Sequence, residues 1–306
     1  MTRTIALLAV SLAAVACQAC GGENPVEQKP DPLLALSALA VGAGLTIFFL
    51  LRFGPARYLL GETALPAFAA LIVSLAAYTT GSGAIALIRR FWPGGDPPAI
   101  HESLLIGIAV FGTIVGAVAW VATAPVPSLT VVLALLAVPI LWSQRGSIRI
   151  PSSIPAPMLL VIPPFMLALA VAVTPVIAPD ELIYKLAVPH AYQIEGRMVD
   201  LPLNSHSYFV MALQLAVLPA LIFGGGVAAK LVHVVIFAAS LAAIGRLTAR
   251  ISDGAAPWIV VIFAWTPALM TTAGMAFSEW CVLGLLIVPI RRMMAKTASC
   301  TSRALS

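Results

Sequence analysis

Charge is what this sequence has least of. Among 306 residues only 9% are Asp, Glu, Lys or Arg, and 61% are hydrophobic. Soluble domains carry about 25% charged residues, and a water-soluble fold of this length has no means of hiding so much apolar surface. The solvent for most of the chain is therefore lipid. In that setting the net charge of +5 is no nucleic-acid signal; Lys and Arg report which loops face the cytoplasm. Cysteine and histidine are scarce too, four of each. Cys17 and Cys20 form a CxxC, but no second CxxC and no nearby His pair completes a zinc site. The long aliphatic runs lack the period-two alternation of membrane strands, which excludes a transmembrane barrel. There is no internal repeat, no low-complexity tract and no soluble domain.

What is present is a series of apolar runs separated by Pro- and Gly-rich links. Runs near 32–52, 63–88, 103–124, 155–178, 229–247 and 256–274 approach the roughly 20 residues a spanning helix needs. Shorter runs lie at 4–20, 128–143 and 279–291. The links "FWPGGDPP" (91–98), "APVPS" (124–128) and "IPSSIPAP" (150–157) stop helices and turn the chain. The expectation is an all-α polytopic bundle of about eight or nine spans. Its parts would be residues 1–30 (a signal-like or first membrane helix with a short linker), spans over 31–178, an extracytoplasmic loop over 179–228, further spans over 229–292 and a polar tail over 293–306. That tail reads either as cytoplasmic or as the out-of-frame end of a truncated product.

The positive-inside rule orients these segments. Arg89, Arg90, Arg145 and Arg149 mark cytoplasmic loops, whereas the 125–128 turn has no basic residue and lies outside. The run 155–178 then travels outward and delivers a polar island, 179–206, to the outer side. If 207–224, with Pro219 and the Gly224–Gly226 run, lies along the interface without spanning, Arg246 and Arg250 fall inside and Glu279 outside. The parity of the first helices is left open, because Arg52 and Arg57 oppose Arg89 and Arg90.

Four of the twelve acidic residues fall between 180 and 200. Asp180 after Pro179 has the makings of an N-cap, and Glu181 with Lys185 has the i,i+4 spacing of a surface ion pair. Charge at the edge of a membrane is costly and tends to mark function. Arg197 has the fork that matches phosphate oxygens, and Lys185 or Lys230 would serve as point charges. His206 and His233 lack ligand partners nearby in sequence, and His233 reads as a packed helix residue.

The stretch "PDELIYKLAVPHAYQIEGRMV", followed by "NSHSYFVMALQLAVL" and "AAKLVHVVIFAASLAAIGRL", resembles the first large periplasmic loop of GT-C glycosyltransferases. The similar branch is the bacterial one related to protein mannosyltransferases and aminoarabinose transferase. The likeness covers roughly residues 174 to 290. It implies a bacterial inner-membrane enzyme that moves a sugar from a polyprenyl-phosphate donor to an acceptor on the extracytoplasmic face. Asp180 and Glu181 would be the catalytic acidic pair. Tyr184, Lys185, His190, Tyr192, Arg197 and Lys230 would bind substrate. Glu279 in "AFSEW" would sit where relatives place substrate or a divalent metal; the resemblance leaves a metal requirement open. The chain departs from the family in the several helices that precede the acidic pair and in the lack of further spans after residue 291. A transporter-like carrier or an inactive membrane fragment are the alternative readings.

Overall fold

The computed structural model describes residues 63–91, 98–144, 155–208, 212–276 and 279–290. Every regular element among them is helical. Four are α1 (Ala64–Phe91), α2 (Ile100–Val121), α3 (Val126–Gln144) and α4 (Ile162–Ala172), the last entered through a 3-10 turn, Ala156–Val161. A π-helical turn (Glu181–Lys185), α5 (Ala187–Glu195) and α6 (Ala212–Ala216) follow. The rest is α7 (Leu218–Ala249), α8 (Ala256–Trp265), α9 (Pro267–Ala273) and α10 (Glu279–Ile290).

Four of these helices (α1, α2, α3 and α7) are long and apolar enough to cross a membrane, or five if the bent pair α8–α9 is one span. The expectation of eight or nine spans is therefore not met among the described residues; the runs expected at 4–20 and 32–52 lie outside them. The physical reason is that an apolar run does not announce its breaks. The 155–178 run becomes a 3-10 turn and an 11-residue helix. The 256–274 run breaks at Thr266 and turns by 73°, since Pro267 cannot donate into the preceding turn and starts a new helix. The run at 128–143, conversely, is a full-length span.

The bundle is built around α7, of which 83% of the most apolar window is buried, against 22% for α3. Leu65, Phe68, Leu135, Leu136 and Trp142 stay exposed on α1 and α3, as lipid-facing side chains do. Helices approach through small residues. A Cβ on Gly81 would run into the Ser103 carbonyl and one on Gly107 into the Ala77 carbonyl, so α1 and α2 cross in backbone contact. Lipid supplies no hydrophobic drive for helix association, and such close packing takes its place.

Within the stretch expected to lie along the interface, residues 212–224 pack against the bundle. α6 rests on Gly112 and Gly116 of α2, and Leu213, Leu215, Ala216, Val217, Leu218 and Ala220 are buried. The chain then turns at Gly224–Gly225, where α7 loses helical geometry. Gly225 takes φ +67 and ψ −164, a region open in practice only to glycine. A Cβ on Gly224 would lie 2.8 Å from Pro66 Cα, closer than a side chain can come.

Sidedness follows from two backbone hydrogen bonds. Met198 N–H donates to Ala119 O and Thr123 N–H to Gly196 O, both at 2.7 Å. These pin the polar island to the end of the bundle where α2 passes into α3, hereafter the site end. Arg89, Arg90, Arg246 and Arg250 lie toward the opposite end, at or beyond the last turns of α1 and α7.

Two outcomes are expected. Reporter fusions after residues 190 and 250 will map to opposite faces of the membrane; finding them on one face would overturn this topology. Gly81→Leu or Gly107→Leu will destabilise the purified protein by about 3 kcal/mol in detergent unfolding, through forced separation of α1 and α2. Gly83→Ala, where a Cβ meets nothing within 4 Å, will stay within about 0.5 kcal/mol of the parent.

Candidate functional site

The site begins where α4 stops. After Ala172 the chain leaves regular structure through Thr174–Ala178 and re-enters helix at Pro179. The next turn is wide: Leu186 N–H bonds to Glu181 O at 3.1 Å, an i→i+5 closure. Pro189 accounts for it. It has no N–H to give the Lys185 carbonyl, and its ring would clash with that carbonyl in a regular helix. Single π-helical turns of this kind are frequent at functional sites.

The wide turn sorts its side chains unusually. Glu181 is 1% exposed and Lys185 4%, while Leu182 and Ile183 are 58% and 51% exposed. The charges point into the protein and the aliphatics point out, an order that suits a turn bathed in lipid. Ile177 and Ile194 are exposed nearby in the chain.

Five of the sequence-predicted residues meet here through three segments. Glu181 Oε1 accepts the Ala276 N–H at 2.6 Å, across 95 positions of sequence. Its Oε2 is buried and makes no hydrogen bond among the described residues. Lys185 Nζ lies 3.9 Å from Glu279 Oε1, with the Glu279 side chain half exposed, and 5.7 Å from the Tyr184 ring centroid. Burial pushes the Lys185 ammonium below its ordinary pKa, against the opposing pull of Glu279, Asp180 and Glu181. Tyr184 stacks on His206 with ring centroids 4.5 Å apart. Its phenol is pushed up, first by burial and then by the negative charges of Asp180 and Glu279. Asp180, half-buried, thus belongs to the same group. Asn204 donates from Nδ2 to the Ile183 carbonyl at 2.7 Å and fixes the loop that carries His206.

Lys230, 1% exposed on α7, borders this group from within. Its ammonium donates to Thr174 O at 2.9 Å, and at 3.4 Å to Thr174 Oγ1 and to Pro175 O. An ammonium has three donors, so the three acceptors engage it fully. His190, Tyr192 and Arg197 are not brought into the cluster. His190 is exposed, with Nδ1 3.3 Å from Gln193 Oε1 on its own helix. Tyr192 is buried, and burial followed by the charge of Asp200 raises its phenol pKa. Arg197 is exposed just beyond the left-handed Gly196 that ends α5. His233 sets Nδ1 2.8 Å from the Ala229 carbonyl, as a packed helix residue does.

A divalent metal was one option at Glu279. No three His, Cys, Asp or Glu side chains converge to hold one among the described residues, and Glu279 faces an ammonium instead. Cys17 and Cys20 lie outside the described residues. Sequence reasoning weighed His206 only as a metal ligand and did not single out Asn204, Thr174 or the Ala276 amide. Only His206 had a visible signal, an aromatic-capable ring in the same polar island. It also passed over His101 and Glu102, which are 4% and 1% exposed at the start of α2, remote from the site end; there the signal was "HES" opening an apolar run.

The ion pair is testable through Lys185 itself. Glu279→Gln removes a negative charge that favours the ammonium, so the pKa of Lys185 falls further below 10.5. Reductive methylation, which needs the neutral amine, will then shift to lower pH at this residue by mass spectrometry. A superimposable profile would show that the pair does not form. Because the unfolded chain binds the proton more tightly, stability rises with pH between the folded and unfolded values, and that window widens in the variant.

Comparison with known protein families, curated proteins and solved structures finds no match to this chain.

Proposed function

We propose that the chain is a GT-C-type membrane glycosyltransferase working at the site end, with a polyprenyl-phosphate sugar as donor. The observation that carries this reading is the meeting of Asp180, Tyr184 and Lys185 with Glu279 at one rim of an apolar bundle, beside outward-facing Leu182 and Ile183. A donor whose tail stays in the bilayer needs charged chemistry within reach of lipid, and this rim supplies it. Arg89, Arg90, Arg246 and Arg250 belong to the other end, so the positive-inside rule assigns the site end to the extracytoplasmic face; a bacterial inner membrane is the setting the resemblance supplies.

The division between the two carboxylates follows from exposure. The acceptor hydroxyl oxygen attacks the anomeric carbon as the bond from that carbon to the phosphate oxygen breaks. The bonding pair departs on the lipid phosphate, and the sugar passes through an oxocarbenium-like state. Asp180, the more accessible member of the acidic pair, takes the hydroxyl proton. Lys185 offers the cation that steadies the departing phosphate, and Glu279 keeps that ammonium charged and aimed. Tyr184, held by His206, offers an aromatic face beside the sugar. Arg197 and His190, exposed on the same loop, are available to headgroup or acceptor.

Transport is the rival reading, favoured by the breaks in α7 and between α8 and α9, since transporters build sites on interrupted helices. Proteoliposomes separate the two. With a labelled polyprenyl-phosphate sugar, transfer to acceptor is expected, and Asp180→Asn will lower its rate by 10²–10⁴-fold, roughly the contribution of a positioned base. Movement of the label across the bilayer with no transferred sugar would establish transport instead. Unchanged transfer in Asp180→Asn would remove Asp180 from the mechanism.

A further inference from the structure

The two most deeply buried charges at the site end are of opposite sign, and each holds a different piece of backbone. Glu181 fastens the 274–276 turn through the Ala276 N–H. Lys230 fastens the end of α4 through the carbonyls of Thr174 and Pro175. They are neighbours. A Cβ on Gly226, one turn before Lys230, would meet Val176 and Leu186, which flank Glu181 in the chain. Both side chains are 1% exposed, and Glu181 Oε2 is buried with no hydrogen-bond donor among the described residues.

We propose that Glu181 and Lys230 are positioning residues: a buried pair of opposite charges that sets the separation of the two site-end segments, and with it the reach from Asp180 to Glu279. Neither touches substrate. The turn on which Asp180 stands is held between them, because Lys230 grips the segment entering it and Glu181 grips the segment opposite. A lone buried charge is far more damaging than a buried pair, and replacing both partners by neutral groups is often tolerated. The relevance of this device to catalysis rests on the glycosyl-transfer reading; the charge pair itself does not.

The test uses the full chain with its four cysteines replaced by alanine and spin labels at Ile183→Cys and Val282→Cys. Both positions are exposed, at 51% and 53%, one on each segment. Double electron–electron resonance in nanodiscs should give one narrow distance distribution in the parent. Glu181→Ala and Lys230→Met should each broaden it, and the double variant Glu181→Gln/Lys230→Met should lie closer to the parent than either single change. Glu181→Gln, which keeps an acceptor for Ala276 but drops the charge, serves where the alanine variant does not fold. Where transfer is measured, the single variants should lose about 100-fold in kcat, the scale of a small misplacement, with the donor KM within about twofold of the parent.

Single variants with the parent's distance distribution would overturn the pair. So would a double variant broader than both singles. Broadened distances with unchanged kcat would overturn the positioning role. A parent that transfers no sugar while its distances respond as described would sink the glycosyl-transfer reading and support the charge pair.

Discussion

Charge taken out of water next to lipid has to be answered by the protein, and the site end is organised around that demand. Lys230, Glu181 and Lys185 are all less than 5% exposed. Each is answered by a different stretch of chain: Lys230 by the carbonyls after α4, Glu181 by the amide after α9, Lys185 by Glu279 at the start of α10. On a wet surface such contacts would contribute about 0–1 kcal/mol apiece. Buried, they cannot be broken one at a time without stranding a charge, which costs about 3–5 kcal/mol. The few ionisable groups of a nearly uncharged sequence thus become the ties between segments far apart in the chain.

Packing elsewhere answers a complementary demand. Apolar side chains gain little by leaving lipid for protein, so helices need close contact to associate. Gly81 with Gly107, Gly112 with α6, and Gly224 with the start of α1 provide it. The last contact bears directly on the site. The break at Gly224–Gly225 lets a short buried segment from α6 enter α7 without continuing its axis. The helical part after the break then carries Lys230 to the Thr174 carbonyl. Without the turn at Gly225, Lys230 would sit at a different rotation and the answering carbonyls would face apolar side chains.

The sequence made the helical class and the lipid solvent legible, because both depend on composition and on the absence of period-two alternation. It also made legible that Glu279 and the acidic pair share one end, since basic residues at 89–90 and 246–250 constrain the intervening parity. The span count was not legible. Apolar content persists through Thr266 and through the 3-10 turn at 156–161, and only geometry shows where hydrogen bonding stops. The wide turn was hidden as well: Pro189 falls in the first turn of α5, and only the fold shows that its missing N–H widens the turn before it. The contacts of Lys230 with Thr174 and Pro175 could not be read, because they depend on a chain crossing that no local pattern encodes.

The acidic pair shows what local reading can and cannot divide. In sequence, Asp180 and Glu181 are two carboxylates side by side, and nothing distinguishes their duties. On a helical turn adjacent residues differ by about 100° in direction, so when one faces the packed interior its neighbour faces away. Here Glu181 faces inward and is engaged by an amide, while Asp180 remains half-buried beside Tyr184 and Lys185. A proton acceptor must come within about 3 Å of an acceptor hydroxyl arriving from outside. A carboxylate 1% exposed, with one oxygen bound to backbone, cannot meet that requirement unless the 274–276 turn lifts away. Asp180 needs no such movement. The pair therefore divides by direction: one carboxylate faces outward, where the proposed transfer would take place, and the other holds the 274–276 turn.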